Sequence, residues 1–171
     1  GLGDVYKRQS TTRLIGACIM THSDNNGLVL PPAVAPVQVV VVPIAQHKPG
    51  VLDAANALKS RLEALDLRVK LDDSEQSPGW KFAQYEMKGV PLRVEIGPKD
   101  MEKQQCCMAR RDTGEKTFVP LSDLESAVQQ LLRDVHDNLY AMAEKNLEDN
   151  TFDFTSWEEV RDMAQGRGGF A

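Results

Sequence analysis

Apolar positions along the chain change period several times. Val37 to Val42 is β-branched and almost continuously apolar, which predicts a strand buried on both faces and ended by Pro43. After Pro49-Gly50, residues Leu52, Ala55, Leu58, Leu62 and Leu65 recur every three or four positions, one face of an amphipathic helix. Arg68-Val69-Lys70-Leu71 predicts a second strand, so strand, helix and strand form a βαβ unit with a parallel pair. A polar loop runs from Asp72 to Gly79. Trp80 to Lys88 is spaced as a short helix stopping at Gly89, Leu92 to Ile96 alternates as a strand, and Gly97-Pro98-Lys99-Asp100 reads as a turn.

Two further strands, Cys106 to Arg110 and Thr117 to Val119, flank the turn Asp112 to Glu115 and predict an antiparallel hairpin. A long helix follows. Ser122 and Glu125 have capping-box spacing, and Leu124, Val128, Leu131, Val135, Leu139 and Met142 form its apolar stripe. Ser156 and Glu159 repeat the capping spacing before a short helix to about Met163, and Gly166 to Gly169 loosens the chain. The fold class is α/β: a mixed, largely parallel five-stranded sheet flanked by helices, spanning Val37 to Asn146. The N-terminal segment before Val37 stands apart from it. Leu14 to Met20 is an apolar run that Thr11 and Thr12 could cap as a helix, Ser23 to Gly27 is a turn, and Leu28 to Pro36 is an extended linker with three prolines.

Composition changes the picture in three ways. With 171 residues, 42% apolar and 26% charged, the chain can fill a core, and no apolar run reaches membrane-spanning length. Cys18, Cys106 and Cys107 have neither disulfide nor metal-ligand spacing, which favours a reducing, cytoplasmic setting. Neighbouring cysteines on a strand point to opposite faces, so at most one is expected to be buried. The net charge is −5, yet residues 81–116 carry eight Lys/Arg against six Asp/Glu. A mildly basic window in an acidic chain fits contact with a polyanion, and equally an ordinary solvated surface. His22, His47 and His136 have no partners arranged for catalysis, and the segment after the first strand, Ala45 to Gly50, holds one glycine and no phosphate loop.

Three stretches carry a resemblance. STTRLIGACIMTHSDNNGLVLPPAVAPVQVVVVPI (residues 10–44) resembles the end of the catalytic domain of prolyl-tRNA synthetases and its exit into the next domain. DDSEQSPGWKFAQYEMKGVPLRVEIGPKD (72–100) and ARRDTGEK (109–116) resemble that family's anticodon-binding domain, in its archaeal and eukaryote-like form. The resemblance runs from Ser10 to Ala171. It implies a class II synthetase that condenses proline with ATP, with Mg2+, and transfers proline to its tRNA. Thr12-Arg13 is similar to the third class II motif, whose arginine holds ATP, so Arg13 is the implied ATP contact.

The first two class II motifs do not appear, so the chain is expected to be a fragment with no catalytic residue of its own and no bound cofactor. The implied division is 1–9 unmatched and foreign, 10–36 the end of the catalytic domain with its linker, 37–146 the anticodon-binding domain, and 147–171 the start of a C-terminal extension. Gly169-Phe170-Ala171 resembles the entry to a further domain that often binds zinc in the family; no zinc site is expected here. The parent is expected to be a cytoplasmic homodimer without membrane contact.

Proline codons begin CC, so the anticodon contains two adjacent guanines. Guanine offers O6 and N7 to Arg or Lys, and its N1–H and N2–H donors to a carboxylate. Unstacked loop bases pack on aromatic rings or guanidinium planes. Phe82, Glu86 one helical turn later, Arg93, Lys99 and Asp100 supply that inventory. The resemblance places the anticodon readers at these positions and adds Lys116. Taken singly, Phe82 also reads as core, Glu86 as a solvated helix charge, Arg93 as an edge-strand charge and Lys99-Asp100 as a polar turn. Two other functions compete: a free-standing anticodon-domain-like RNA-binding module, and a small α/β nucleotide-binding protein using the strand-end crevice.

Overall fold

The computed structural model describes residues 12–166. The readings for residues 1–9, for Ser10 and Thr11, and for Gly169-Phe170-Ala171 lie outside the described residues. Five strands, β1 (Val39–Pro43), β2 (Val69–Leu71), β3 (Leu92–Ile96), β4 (Gln105–Arg110) and β5 (Lys116–Pro120), form one sheet in the order β2-β1-β3-β4-β5. The β1 strand pairs in parallel with β2 and β3, while β3–β4 and β4–β5 are antiparallel. The sheet is mixed as expected, but it divides evenly between the two pairings and is not largely parallel. The helices are α1 (Thr12–His22), α2 (Val51–Glu63), α3 (Pro78–Met87), α4 (Pro98–Glu102), α5 (Leu124–Asp149) and α6 (Trp157–Gly166).

One sheet face is fully covered. Val39, Val41, Leu92, Val94, Ile96, Cys106, Met108 and Val119 point toward α2 and α5, where Ala55, Leu58, Leu62, Leu124, Val128 and Leu132 complete the main core. Fully burying such side chains contributes about 1.5–3 kcal/mol each before entropy is subtracted. The other face is covered only beside β1. There Val40, Val42, Tyr85 and Val90 pack with Phe82, Val37 and Ile44 under α3.

Several expectations shift by a residue or a role. Val51 is buried while Leu52 is exposed, because α2 starts one position earlier than the leucine spacing implies. In α5, Leu132 occupies the core, Leu131 is half-buried, and Met142 is exposed where the helix runs past the sheet. The Ser122–Glu125 capping box does not form. Residues Leu121–Asp123 make a 3-10 turn, and Glu125 instead takes a two-bond grip from Arg61, at 2.7 and 2.8 Å. Before α6 one arm of the box forms, Ser156 Oγ accepting from Glu159 N, while the Glu159 carboxylate accepts from Thr155 N, one residue before the cap. Gly97 to Asp100 opens the short helix α4, with Asp100 Oδ2 accepting from Gly97 N at 3.0 Å. Both adjacent cysteines are buried, against the expectation for an alternating strand: Cys106 faces the main core, and Cys107 is shielded on the other face, beside Glu95 and Phe118 across the ladder. Burial pushes the Cys106 thiol up to about 11, and Cys107 up as well.

The proline-rich segment is not simply extended. It turns at residues 32–34, and Val29, Pro32 and Ala35 are buried, Val29 against Val135 and Leu139 of α5. Arg68 donates to the carbonyls of Pro32, Ala33 and Ala35. Leu28 N and Leu30 N donate to Met87 O and Gly89 O, which satisfies carbonyls at the end of α3. This crossing is tight enough to require glycine. A Cβ on Gly27 (φ +134) would stand 2.6 Å from Met87 Cα, and one on Gly89 (φ +69) 2.7 Å from Leu28.

Arg111 completes the seam. Its Nε donates to Glu86 O at 2.8 Å, and its terminal nitrogens hold both oxygens of Asp24 at 2.7 and 2.8 Å. The Arg111 hydrogen bonds pull the Asp24 carboxyl from an ordinary 3.8 down to about 2. A carboxyl with a depressed folded-state value stabilises above its unfolded value and loses that contribution as pH falls through the folded value. The Asp24 side chain is 44% exposed, so the contribution is discounted for solvent screening to about 1 kcal/mol. In denaturant unfolding, Asp24→Asn is therefore expected to be less stable than the parent chain at pH 6, with the gap closing between about pH 4 and pH 2. An equal gap at pH 6 and pH 2 would show that the carboxylate charge is not what Arg111 holds.

Candidate nucleic-acid interface

The site starts from the alternation of β3. Leu92, Val94 and Ile96 enter the core, which sends Arg93 and Glu95 to the half-covered face. The ladder extends this face across two strands: Arg93 pairs with Ala109, which pairs with Lys116, and Glu95 pairs with Cys107, which pairs with Phe118. Helix α3 borders it. Ser77 Oγ accepts from Trp80 N to cap the helix, and Pro78 occupies its first turn.

Lys81 moors that first turn. It is 1% exposed, and its Nζ donates to Asp72 O at 2.9 Å and Gln46 Oε1 at 3.3 Å, and stands 3.7 Å from Asp72 Oδ1. Burial pushes the Asp72 carboxyl up, but hydrogen bonds from Ser74, the Lys81 charge and the Tyr85 hydroxyl outweigh it, so the net shift is down. Burial, then the Asp72 charge, raises Tyr85 to about 12. The sequence suggested a polar loop from Asp72 and counted Lys81 in the basic window; the fold instead pairs them at the carboxyl ends of β1 and β2.

Arg93 is the centre of the surface. Its Nε donates to Glu95 Oε1 at 2.9 Å, and its guanidinium carbon lies 4.1 Å from the Phe82 ring centroid. Lys116 Nζ stands 3.3 Å from the same Glu95 oxygen and 5.3 Å from the same ring. The Arg93 terminal nitrogens make no hydrogen bond among the described residues. Phe82 is half-buried against the core under α3, and its ring also lies beside the two cations Arg93 and Lys116.

Two clefts flank this stack. A smaller one, of about 160 Å³, is lined by Tyr85, Glu86, Val90, Arg93, Ala109 and Arg111 among others. A larger one, of about 530 Å³, brings together Phe82, Glu95, Lys99, Asp100, Lys116 and Phe118. The six predicted residues thus share one face but divide: Glu86 and Arg93 on one side, Phe82, Lys99, Asp100 and Lys116 on the other. Arg13 lies outside both clefts, exposed in the first turn of α1, a helix with no buried residue.

Sequence reasoning missed Glu95 and Phe118. Glu95 is 8% exposed and Phe118 is 61% exposed. The hairpin register carried the signal, since it puts Phe118 two residues from Lys116 on the same face. The reading of a loose basic window also changes. Arg110 is bound by Asp112, Arg111 by Asp24, and Lys81 is buried, so those three charges hold the fold. Among the described residues no group of His, Cys, Asp or Glu is placed to hold a metal ion, and no helix is long and apolar enough to cross a membrane.

Fold and site together define an α/β domain with one buried sheet face and one half-open face that presents cations, carboxylates and aromatic rings. The chain belongs to the anticodon binding domain family, whose model matches residues 38–131. It is similar to proline–tRNA ligases: 52% identical over 160 residues to one from Clostridium botulinum, and 53% identical over 160 residues to proline–tRNA ligase 2 of Bacillus cereus. The matches cover 94% of this chain and 33% of each relative, so the chain spans about a third of the length of these curated relatives.

The mooring of α3 has a direct test. Lys81→Met leaves Asp72 buried without its cation and is expected to cost about 3–5 kcal/mol in denaturant unfolding. The paired replacement Lys81→Met with Asp72→Asn should recover part of that loss. A single replacement within about 0.5 kcal/mol of the parent chain would show that the pair does not anchor the helix.

Proposed function

We propose that this chain reads the anticodon of proline tRNA as part of a proline–tRNA ligase. The observation that carries the reading is the pair of clefts on either side of the Arg93–Phe82 stack, a geometry suited to two adjacent, unstacked guanines. Arg93 offers free terminal nitrogens to guanine O6 and N7. Glu86, half-buried beside it, accepts from guanine N1–H and N2–H. Asp100 lines the larger cleft and uses Oδ2 to cap α4, which keeps Oδ1 for a guanine donor. Lys99 and Lys116, both exposed, meet phosphates or base edges. Phe82 supports the guanidinium plane on which a base stacks.

The division of the chain follows the same proposal. Residues 37–146 form the reading domain, 10–36 belong to the end of a catalytic domain with Arg13 as its ATP contact, and 147–171 begin an extension. The parent enzyme ligates proline to tRNA with ATP and Mg2+, as a cytoplasmic homodimer. Any such chemistry proceeds away from the sheet face described here, and this face contributes substrate selection.

Binding of an anticodon stem-loop RNA by this chain tests the proposal. Arg93→Ala should lower affinity for the proline stem-loop by roughly 5- to 150-fold, the equivalent of about 1–3 kcal/mol, and narrow its lead over a stem-loop with one guanine replaced. Lys116→Ala should weaken both RNAs alike and reduce the salt slope by about one. If Arg93→Ala lowered both affinities by the same factor, Arg93 would not be reading a base.

A further inference from the structure

Arg93 is a cation of the open face with a side chain 16% exposed, and an unrestrained arginine loses much rotamer freedom when it binds. Here two contacts restrain it, and a third engages the carboxylate that holds it. Glu95 Oε1 takes its Nε at 2.9 Å, the guanidinium carbon stands over the Phe82 ring 4.1 Å from its centroid, and Lys116 shares the same carboxylate oxygen at 3.3 Å. The side chain of Glu95 is only 11% exposed. It lines the larger cleft, but its Oε1 is already engaged by Arg93 and Lys116, and its ladder neighbour Cys107 is buried.

We propose that Glu95 is a positioning residue: it fixes Arg93 by the Nε so that the two terminal nitrogens point outward as a preformed fork for a guanine. The proposal rests on the reading of Arg93 as a guanine contact. Using Nε for the internal bond is what gives the arrangement its selectivity, because the terminal pair then has one orientation in which to meet O6 and N7 together. The carboxylate has a second effect. Arg93, Lys116 and Glu95 together carry a single positive charge, so the surface attracts RNA phosphate weakly until the correct base engages the fork. A fixed negative charge beneath two cations therefore lowers indiscriminate binding while orienting the discriminating group.

The variant Glu95→Gln keeps the shape and removes the charge. Affinity for a stem-loop with one guanine replaced should rise about 2- to 5-fold, because the cluster gains one net positive charge. The lead of the proline stem-loop over it should shrink about 10-fold, as when a base contact is lost. Equal losses for both RNAs would make Glu95 a purely structural residue, and equal gains would make it only a charge screen; either result overturns the proposal. A measurement without RNA accompanies these. In the unmodified chain the Arg93 Nε–H should give a distinct, slowly exchanging nitrogen-15 NMR signal that moves to the bulk arginine position in Glu95→Ala, which removes the acceptor oxygen that Glu95→Gln keeps. An Arg93 signal in the unmodified chain already at the bulk position would overturn the positioning role, whether or not the variant folds. If the unmodified chain bound both RNAs equally, the anticodon reading would fall instead, and the Nε signal alone would decide whether Glu95 positions Arg93.

Discussion

The unequal helix cover of the five-stranded sheet is the constraint on which the rest depends. Helices α2 and α5 seal one face with the main core, while α3 reaches only the β1 side of the other. Strand β3 sits at the centre, so its period of two forces Leu92, Val94 and Ile96 into the main core and sends Arg93 and Glu95 to the face that α3 borders. A one-residue slip of β3 would bury the guanidinium in the core and expose the leucine, so register and site are specified by the same burial. The antiparallel β4–β5 hairpin then widens the open face and brings Lys116 and Phe118 alongside.

Charge follows the same division. Cations at the rim hold the fold together: Arg111 ties the N-terminal turn and the end of α3, Lys81 moors the start of α3, and Arg61 joins α2 to α5. Each is satisfied by specific acceptors, which is how buried or half-buried charges are kept without a large desolvation loss. Because α3 is held at both ends, Phe82 and Glu86 present themselves from a rigid rather than a fraying helix. That rigidity suits a surface that discriminates by hydrogen-bond geometry, since loosely held groups would adapt to several bases.

Much of this was legible in the chain. The periods of β1, α2 and β3 and the hairpin pattern are strong because each element has one buried face, and the structure reproduces them within one or two residues. What stayed hidden depended on contacts distant in sequence. Lys81 and Asp72 look like solvated charges until α3 folds back over the ends of β1 and β2. Glu125 has capping-box spacing, but Arg61, 64 positions away, is the stronger partner. One of the two adjacent cysteines reads as exposed by alternation, whereas Cys107 is shielded beside its cross-ladder neighbours Glu95 and Phe118. Glu95 and Phe118 follow from period and register, but only once the hairpin pairing is known. The clustering of Phe82, Arg93 and Lys116 was anticipated as a set, whereas its division into two clefts is a property of three dimensions.

The most direct measurement is nuclear magnetic resonance mapping of the proline anticodon stem-loop onto the folded chain. Backbone and side-chain signals of Arg93, Lys116, Phe118 and Glu86 should shift together on titration, while signals from Ala55, Leu62, Val128 and Leu132, on the opposite face, stay unmoved. Shifts confined to α1 or α6, or spread over the α2–α5 face with Arg93 unperturbed, would contradict the assignment of RNA reading to the half-open sheet.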